Sequence, residues 1–324
     1  METRYDVVIV GGGAAGLSAA LVLGRSRRRV AVVDAGEPRN APAEHMQGFL
    51  SRDGMPPAEL LAAGRREVAG YGVELIGDRV IGAAGGGGAV RAGRRRDADA
   101  AGGTDPEFEL RLAGGRTLRA RRVLVATGLR DELPHLPGVR ERWGRDVLHC
   151  PYCHGYEVTD RPLGLIGGTE PGALARAVHL ALLLPQWSDD VVFFPHTMTL
   201  TGDERRRITG RGVRIVDGKV TRLIVEDDRL RGVELADGSA VPRAAVFLGP
   251  TFVPDNTVLS ALGCDLSEAG WVVTDPSGRT SVPGVWAAGN VTNPGAQVIT
   301  AAGAASAAAI ALNADLVEED SAGG

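Results

Sequence analysis

Cys150-Pro151-Tyr152-Cys153-His154-Gly155 holds two of the chain's three cysteines and sets an imidazole directly after the second. Two thiols separated by two residues close a small disulfide with little rearrangement, and such a pair carries two electrons and two protons. In a cysteine-poor chain this spacing points to redox or metal chemistry rather than to structural stapling. A structural zinc site needs about four ligands, usually from a second CxxC pair or added histidines. The second pair is missing here, although His149 and His154 flank the first, so no metal is expected. An inert buried pair is the other alternative. A dithiol/disulfide couple is the reading pursued, provided the chain supplies an electron partner. His154, with an ordinary imidazole pKa of about 6.5, can take and return a thiol proton, and as a cation it favours thiolate. Its structural alternative is a ring satisfied by a backbone carbonyl. His149 is a weaker second candidate.

The electron partner is sought at the N-terminus. Tyr5–Val10 reads as a buried parallel strand that runs straight into Gly11-Gly12-Gly13-Ala14-Ala15-Gly16 and a helix to about Arg25. Val30–Asp34 follows as a second strand. Gly11 permits a tight turn, Gly13 lets backbone approach a pyrophosphate, and Gly16 allows close helix–strand contact. The helix N-terminus offers unpaired N–H groups to phosphate oxygens, and Asp34, about twenty residues on, can accept from a ribose hydroxyl. Strand, glycines, helix, strand and acid in register predict a dinucleotide site. The alternative is a glycine-rich turn without a ligand.

These residues must be positioned by a larger frame. A helix is expected over about 57–71, and strands over 73–76, 79–81, 108–112, 117–120 and 123–128. Residues 85–105, rich in Gly, Ala, Arg and Asp, read as a flexible insertion with a solvated Arg94-Arg95-Arg96 patch. Pro134, Pro137 and Gly138 mark an interdomain crossing. A second βα start, Leu163–Gly172, follows the CxxC, with a helix to about Leu184 and a strand at 191–194. The fold class is therefore α/β: two Rossmann-like domains, the second inserted into the first. The boundaries are 1–128 with 245–324 for the first domain and 129–244 for the second.

A length of 324 residues fits about two domains. A formal net charge of −4 predicts no nucleic-acid partner. The most apolar run, 296–312, carries Gln297, Thr300 and Ser306 among small residues, so a closely packed helix is expected rather than a membrane span. With few cysteines and no leader ahead of the first strand, a cytoplasmic location is expected. Cys264 reads as a small core residue, and 318–324 as a frayed tail.

Together GGGAAG at 11–16, ATG at 126–128, CPYC at 150–153, the glycine turn at 167–172, PGVWAAGN at 283–290 and GAQVITAAG at 295–303 resemble the low-molecular-weight thioredoxin reductase family of flavoproteins. The similarity runs over essentially the whole chain. It implies tightly bound, non-covalent FAD on the first domain, held by Gly11, Gly13, Ala14, Ala15, Gly16 and Asp34. Thr127 and Gly128 of the ATG turn would join them. It also implies that Gly289 and Asn290 reach the ribityl chain, that Gln297 and Val298 lie at the isoalloxazine, and that Asn40 and Gln47 line the flavin. By family position Cys153 is the flavin-facing thiol and Cys150 the one that exchanges with substrate. A homodimer is implied as well.

Departures from the family pattern refine the expectation. The usual CATCDG is CPYCHG here, and Asn290 stands where Asp is usual. In the second turn the residues are Thr169, Glu170 and Pro171: a carboxylate repels phosphate, and proline removes an N–H. The arginine pair expected after the next strand is replaced by Phe194-Pro195-His196-Thr197-Met198, and Arg205-Arg206-Arg207 read as a solvated helix face. These changes argue against NADPH. Electrons would then arrive from a dithiol and leave through the flavin, as in the similar dithiol oxidases of gliotoxin- and holomycin-type pathways. The expected substrate is a small-molecule dithiol, with a protein dithiol also open; dioxygen is the acceptor and hydrogen peroxide the product. The alternatives are an NADPH-dependent thioredoxin reductase, a variant reduced by ferredoxin, and a flavoprotein redox sensor without turnover.

Overall fold

The computed structural model of the protein describes residues 4–85, 107–168 and 172–322. The insertion with its Arg94-Arg95-Arg96 patch and the Thr169-Glu170-Pro171 segment of the second turn lie outside the described residues. Two compact units divide the chain: residues 1–39, 58–130 and 254–324 form one, and 40–57 with 131–253 form the other. Residues 40–57 thus group with the second unit, whereas the sequence boundaries ran the first domain unbroken from 1 to 128.

In the first unit β1 (Arg4–Val10) lies between β2 (Val30–Asp34) and β6 (Thr117–Val125), parallel to both. Val7, Val8 and Ile9 are fully buried, as the unbroken apolar run requires of a strand covered on both faces. Helix α1 (Ala14–Arg25) joins β1 to β2, and α2 (Pro57–Ala69) precedes β3 (Glu74–Gly77) at the sheet edge. Beyond β6 lie the antiparallel β5 (Phe108–Leu112) and β4 (Val80–Gly85). The sequence suggests separate strands at 117–120 and 123–128, but β6 is a single strand. Arg121 and Arg122 do not break it, because both reach carboxylates of the C-terminal helix.

The chain enters the second unit along β7 (Leu129–Glu132) and passes the short helix α3 (Val139–Arg142), β8 (Val147–Leu148) and α4 (Pro151–His154). Then come β9 (Leu163–Ile166), α5 (Ala173–Leu183), β10 (Val191–Phe194), α6 (Gly202–Gly210) and β11 (Arg214–Ile215). Thr201 and Glu204 close a capping box at the start of α6. An antiparallel β12 (Val220–Glu226), β13 (Arg229–Leu235) and β14 (Ala240–Pro242) meander leads to β15 (Ala245–Leu248) and β16 (Thr251–Pro254). The parallel sheet has the order β11-β10-β9-β15-β8, so this unit repeats the strand–turn–helix–strand plan of the first.

Back in the first unit, α7 (Thr257–Ala261) leads on to β17 (Val285–Ala287), which pairs with the C-terminal half of β6. Last comes α8 (Val298–Ala322). By length and composition α8 could cross a membrane. Its Ala301, Ala305, Ala308, Ala309, Leu312 and Leu316 instead enter one core cluster with Ala15, Ala19, Ala20 and Leu23 of α1. Small side chains on both helices let the axes approach closely; burying Leu312 and Leu316 contributes about 1.5–3 kcal/mol each.

The tail expected to fray continues α8 to Ala322. Arg122, 7% exposed, holds Asp315 at 2.7 Å and also pairs with Glu319, while Arg28 holds Asp320 at 2.7 Å. Cooperative ion pairs on a helix already seated by its apolar face overcome end fraying. Replacing Arg122 with Ala removes the most buried of these guanidinium groups and leaves Asp315 to Arg279 and Glu319 to Arg121. A loss of about 2–3 kcal/mol is expected, read from the urea unfolding midpoint.

Candidate active site

The first turn is built by steric necessity. Gly11 has φ +105°, and a Cβ there would lie 2.4 Å from the Ala126 carbonyl oxygen. A Cβ on Gly16 would lie 1.8 Å from the Gly11 oxygen. At Gly13, by contrast, the Cβ position has nothing within 4 Å: the turn is packed beneath and open above. Helix α1 begins directly at Ala14, its first N–H groups at the rim of that opening. Gly128, at φ +74°, also borders open space, and the Thr127 hydroxyl donates to the Asp255 carbonyl at 2.8 Å.

Asp34 ends β2 beside the turn; a Cβ on Gly12 would come within 2.8 Å of its carboxylate. Arg65 of α2 donates to Asp34 Oδ2 at 2.9 Å. No local pattern marks this partner, since α2 is an ordinary amphipathic segment and only the tertiary fold brings it to β2. The pair orients the carboxylate and leaves acceptor capacity on it. Gly289, at φ +84°, packs on the same turn: a Cβ there would lie 2.9 Å from the Ala15 Cβ. Asn290 follows it, and Gln297 and Val298 lead into α8. Gly11, Gly13, Ala14, Ala15, Gly16, Asp34, Thr127, Gly128, Gly289, Asn290, Gln297 and Val298 therefore all fall in one unit. Asn40, which is exposed, and Gln47, half-buried, fall in the 40–57 segment that groups with the second unit. The open cradle above Gly13, the helix start and the ribose-type acceptor fit the pyrophosphate and adenosine parts of FAD.

In the second unit Cys150 and Cys153 form a disulfide with a Cα–Cα distance of 5.3 Å. Cys150 caps α4, and its carbonyl accepts from the N–H groups of Cys153 and His154, both at 3.1 Å. Gly155 has a packing role: a Cβ there would lie 2.5 Å from the Pro151 oxygen and 2.8 Å from the Trp187 ring. Trp187 supports the redox turn from below and meets Tyr152 edge-on at 6.0 Å. Nothing near position 187 in sequence predicts this. His154 is half-buried, and burial pushes its pKa below the ordinary histidine value, partly offset by Glu157. It therefore sits as a neutral base at pH 7. His149 stacks on Trp143 at 5.5 Å and meets Phe252 edge-on at 6.1 Å. Its ring is held by aromatic packing beside Cys150.

A scan against family models matches residues 5–309 to the pyridine nucleotide-disulphide oxidoreductases. The chain belongs to that family. Thioredoxin reductase sirT of Leptosphaeria maculans is 31% identical over 310 residues, covering 92% of this chain and 90% of sirT. The crystal structure of HlmI superposes with a TM-score of 0.89 at 57% identity, covering 100% of this chain and 96% of HlmI. An oxidoreductase from Agrobacterium tumefaciens gives 0.84 at 35% identity, covering 97% of this chain and 99% of that one. The protein is an FAD-dependent, thioredoxin reductase-like oxidoreductase.

Gly16→Ala forces α1 away from the Gly11 carbonyl. The purified variant is expected to lose most of its flavin absorbance on dialysis while the wild type keeps it.

Proposed function

We propose that the protein is a dithiol oxidase that draws electrons from its substrate rather than from NADPH. The observation that carries this reading is the contrast between two turns in matching register. Gly11 N donates to Val33 O at 2.8 Å, and Gly167 N donates to Phe194 O at 2.9 Å. Pro195 therefore stands where the first unit has Asp34. Proline has no side-chain acceptor for a ribose. Gly167, like Gly11, is required by packing: a Cβ there would lie 2.4 Å from the Pro195 oxygen and 2.8 Å from Met198 Sδ. The helix is set back as well. α5 begins at Ala173, six residues past Gly167, whereas α1 begins at Ala14, three past Gly11. His196 is a weak partner for a phosphate: its Nδ1 accepts from Val220 N at 2.9 Å and burial lowers its pKa, so the ring is held neutral.

In this reading the first unit binds FAD and the second carries the redox pair. A substrate thiolate, its proton taken by neutral His154, attacks Cys150 Sγ, and the bond to Cys153 breaks. The substrate's second thiolate then attacks the sulfur bonded to Cys150. The substrate leaves as a disulfide and the CxxC is left as a dithiol, two electrons and two protons having moved from substrate to enzyme. FAD, when bound, supplies two-electron redox chemistry that restores the disulfide, with dioxygen as the proposed acceptor and hydrogen peroxide as its product. The resemblance of CPYCHG and the AGN turn to the dithiol oxidase branch supports a small-molecule dithiol over a protein one. A second copy of the chain is the proposed assembly partner, as the family resemblance implies. The exposed Ile299, Ile310 and Val317 of α8 support that reading.

Anaerobic mixing with dithiothreitol is expected to bleach the flavin, admission of air to restore it with peroxide formed, and NADPH to leave it oxidised. Rapid bleaching by NADPH would overturn the proposal in favour of a thioredoxin reductase. His154→Ala is expected to slow substrate oxidation by about 10²–10⁴-fold. Because burial lowers the pKa of His154, the wild-type rate should hold as pH falls through about 6.5 and drop only below it; the variant should lack that acid limb.

A further inference from the structure

Asn290 does something its position beside a cofactor turn does not by itself require. Its Nδ2 donates to Asn293 O at 3.0 Å and to Ala296 O at 2.9 Å. Its Oδ1 faces Arg39 Nη1 at 3.5 Å. These neighbours settle which end of the amide is which, since a flipped side chain would set its oxygen against two carbonyl oxygens and its NH₂ against a guanidinium. Both amide protons are thus spent on backbone carbonyls of the segment that leads into α8.

The other hydrogen bonds of that segment are short-range, while Val291 and Ala296 pack against the core. Thr292 N and Asn293 N bond Gly289 O at 3.1 and 3.0 Å, Gly295 N bonds Asn293 Oδ1 at 3.0 Å, and Ala296 N bonds Asn293 O at 3.2 Å. All of these bonds are local to residues 289–296, and Asn293 is exposed. Regular α8 bonding starts with Ala301 N to Gln297 O at 2.8 Å. The Asn290 amide ties the far end of the loop, at Ala296, to the Gly289 turn seated on Ala15.

We infer that Asn290 is a positioning residue: its amide clasps residues 293–296 against the Gly289 turn and so sets where α8 begins. An acid cannot make the same clasp, so the aspartate usual at this position in the family must be accommodated by other contacts. A carboxylate at 290 has no proton to donate and would oppose two carbonyl dipoles, which costs more than leaving them unpaired. From sequence, Asn290 is expected at the ribityl chain where Asp is usual; the structure adds the bonds made by the two protons of its amide. The inference rests on the family reading only for its consequence, flavin binding at this turn; the clasp itself is a property of the chain.

The test is hydrogen–deuterium exchange of the amides of residues 293–301 in the full-length holoenzyme and in flavin-stripped protein, for wild type, Asn290→Ala and Asn290→Asp. At pH 8 exchange is expected to rise about tenfold in the alanine variant and more in the aspartate variant. At pH 5, after correction for intrinsic exchange, the aspartate variant should move back toward the alanine variant as its carboxyl gains a proton to donate, and its flavin retention should improve with it. Wild-type exchange in both variants, or an aspartate variant no different from alanine at either pH, would overturn the clasp. Because exchange is also read without flavin or substrate, that failure is separate from a failure of the dithiol oxidase reading. If Asn290→Asp does not fold, Asn290→Ala and Asn290→Ser still decide it: serine has one proton to donate on a shorter side chain, so exchange above wild type in both supports the clasp and unchanged exchange refutes it.

Discussion

The first unit depends on backbone packing so close that no side chain fits. At Gly11 a strand, the turn and the Ala126 carbonyl converge; at Gly16 the first turn of α1 folds back on the Gly11 carbonyl. Those approaches aim α1 so that its start borders the open space above Gly13. They also bring α1 against α8 through a face of alanines, and set Gly289 against Ala15. Remove the permission that glycine gives and the strand end, the helix start and the returning C-terminal segment lose their common reference.

The second unit reuses the plan with different chemistry. The ladder runs in the same register, yet proline replaces the acid at the end of the second strand, and the methionine three residues on packs against the first glycine. The βαβ frame persists because its buried strands are paid for by burial of Leu163, Leu165, Phe193 and Phe247, not by a ligand. What this unit gains is the redox turn. Cys150 and Cys153 bracket a single turn of helix, Trp187 packs beneath it because residue 155 has no side chain, and His154 is neutral at physiological pH because it is half-buried.

Electrostatics close the first unit at its end. Arg28, Arg121 and Arg122 collect Asp315, Glu319 and Asp320 along the last turns of α8. Glu319 and Asp320 lie in the 318–324 stretch that is expected from sequence to fray. Their partners lie nearly two hundred or more positions away, so no local pattern could reveal them.

Much of this protein was legible in the chain alone. Glycine spacing after a buried strand, an acid at the end of the next strand, CxxC followed by histidine, and a second, altered glycine turn are all local patterns. Each reports a backbone conformation or a chemistry that depends on a few neighbouring residues. That is why the α/β class, the repeated βαβ plan and the redox pair could be read directly. What only the tertiary structure decided are pairings between distant segments: Arg65 on Asp34, Trp187 beneath Gly155, Met198 beside Gly167, the continuity of β6 through Arg121 and Arg122. The two protons of Asn290 belong to the same group. The residue type was visible, but whether its amide serves a ligand or its own loop depends on where the Asn293 and Ala296 carbonyls point, and that direction is set only when α8 is seated on α1.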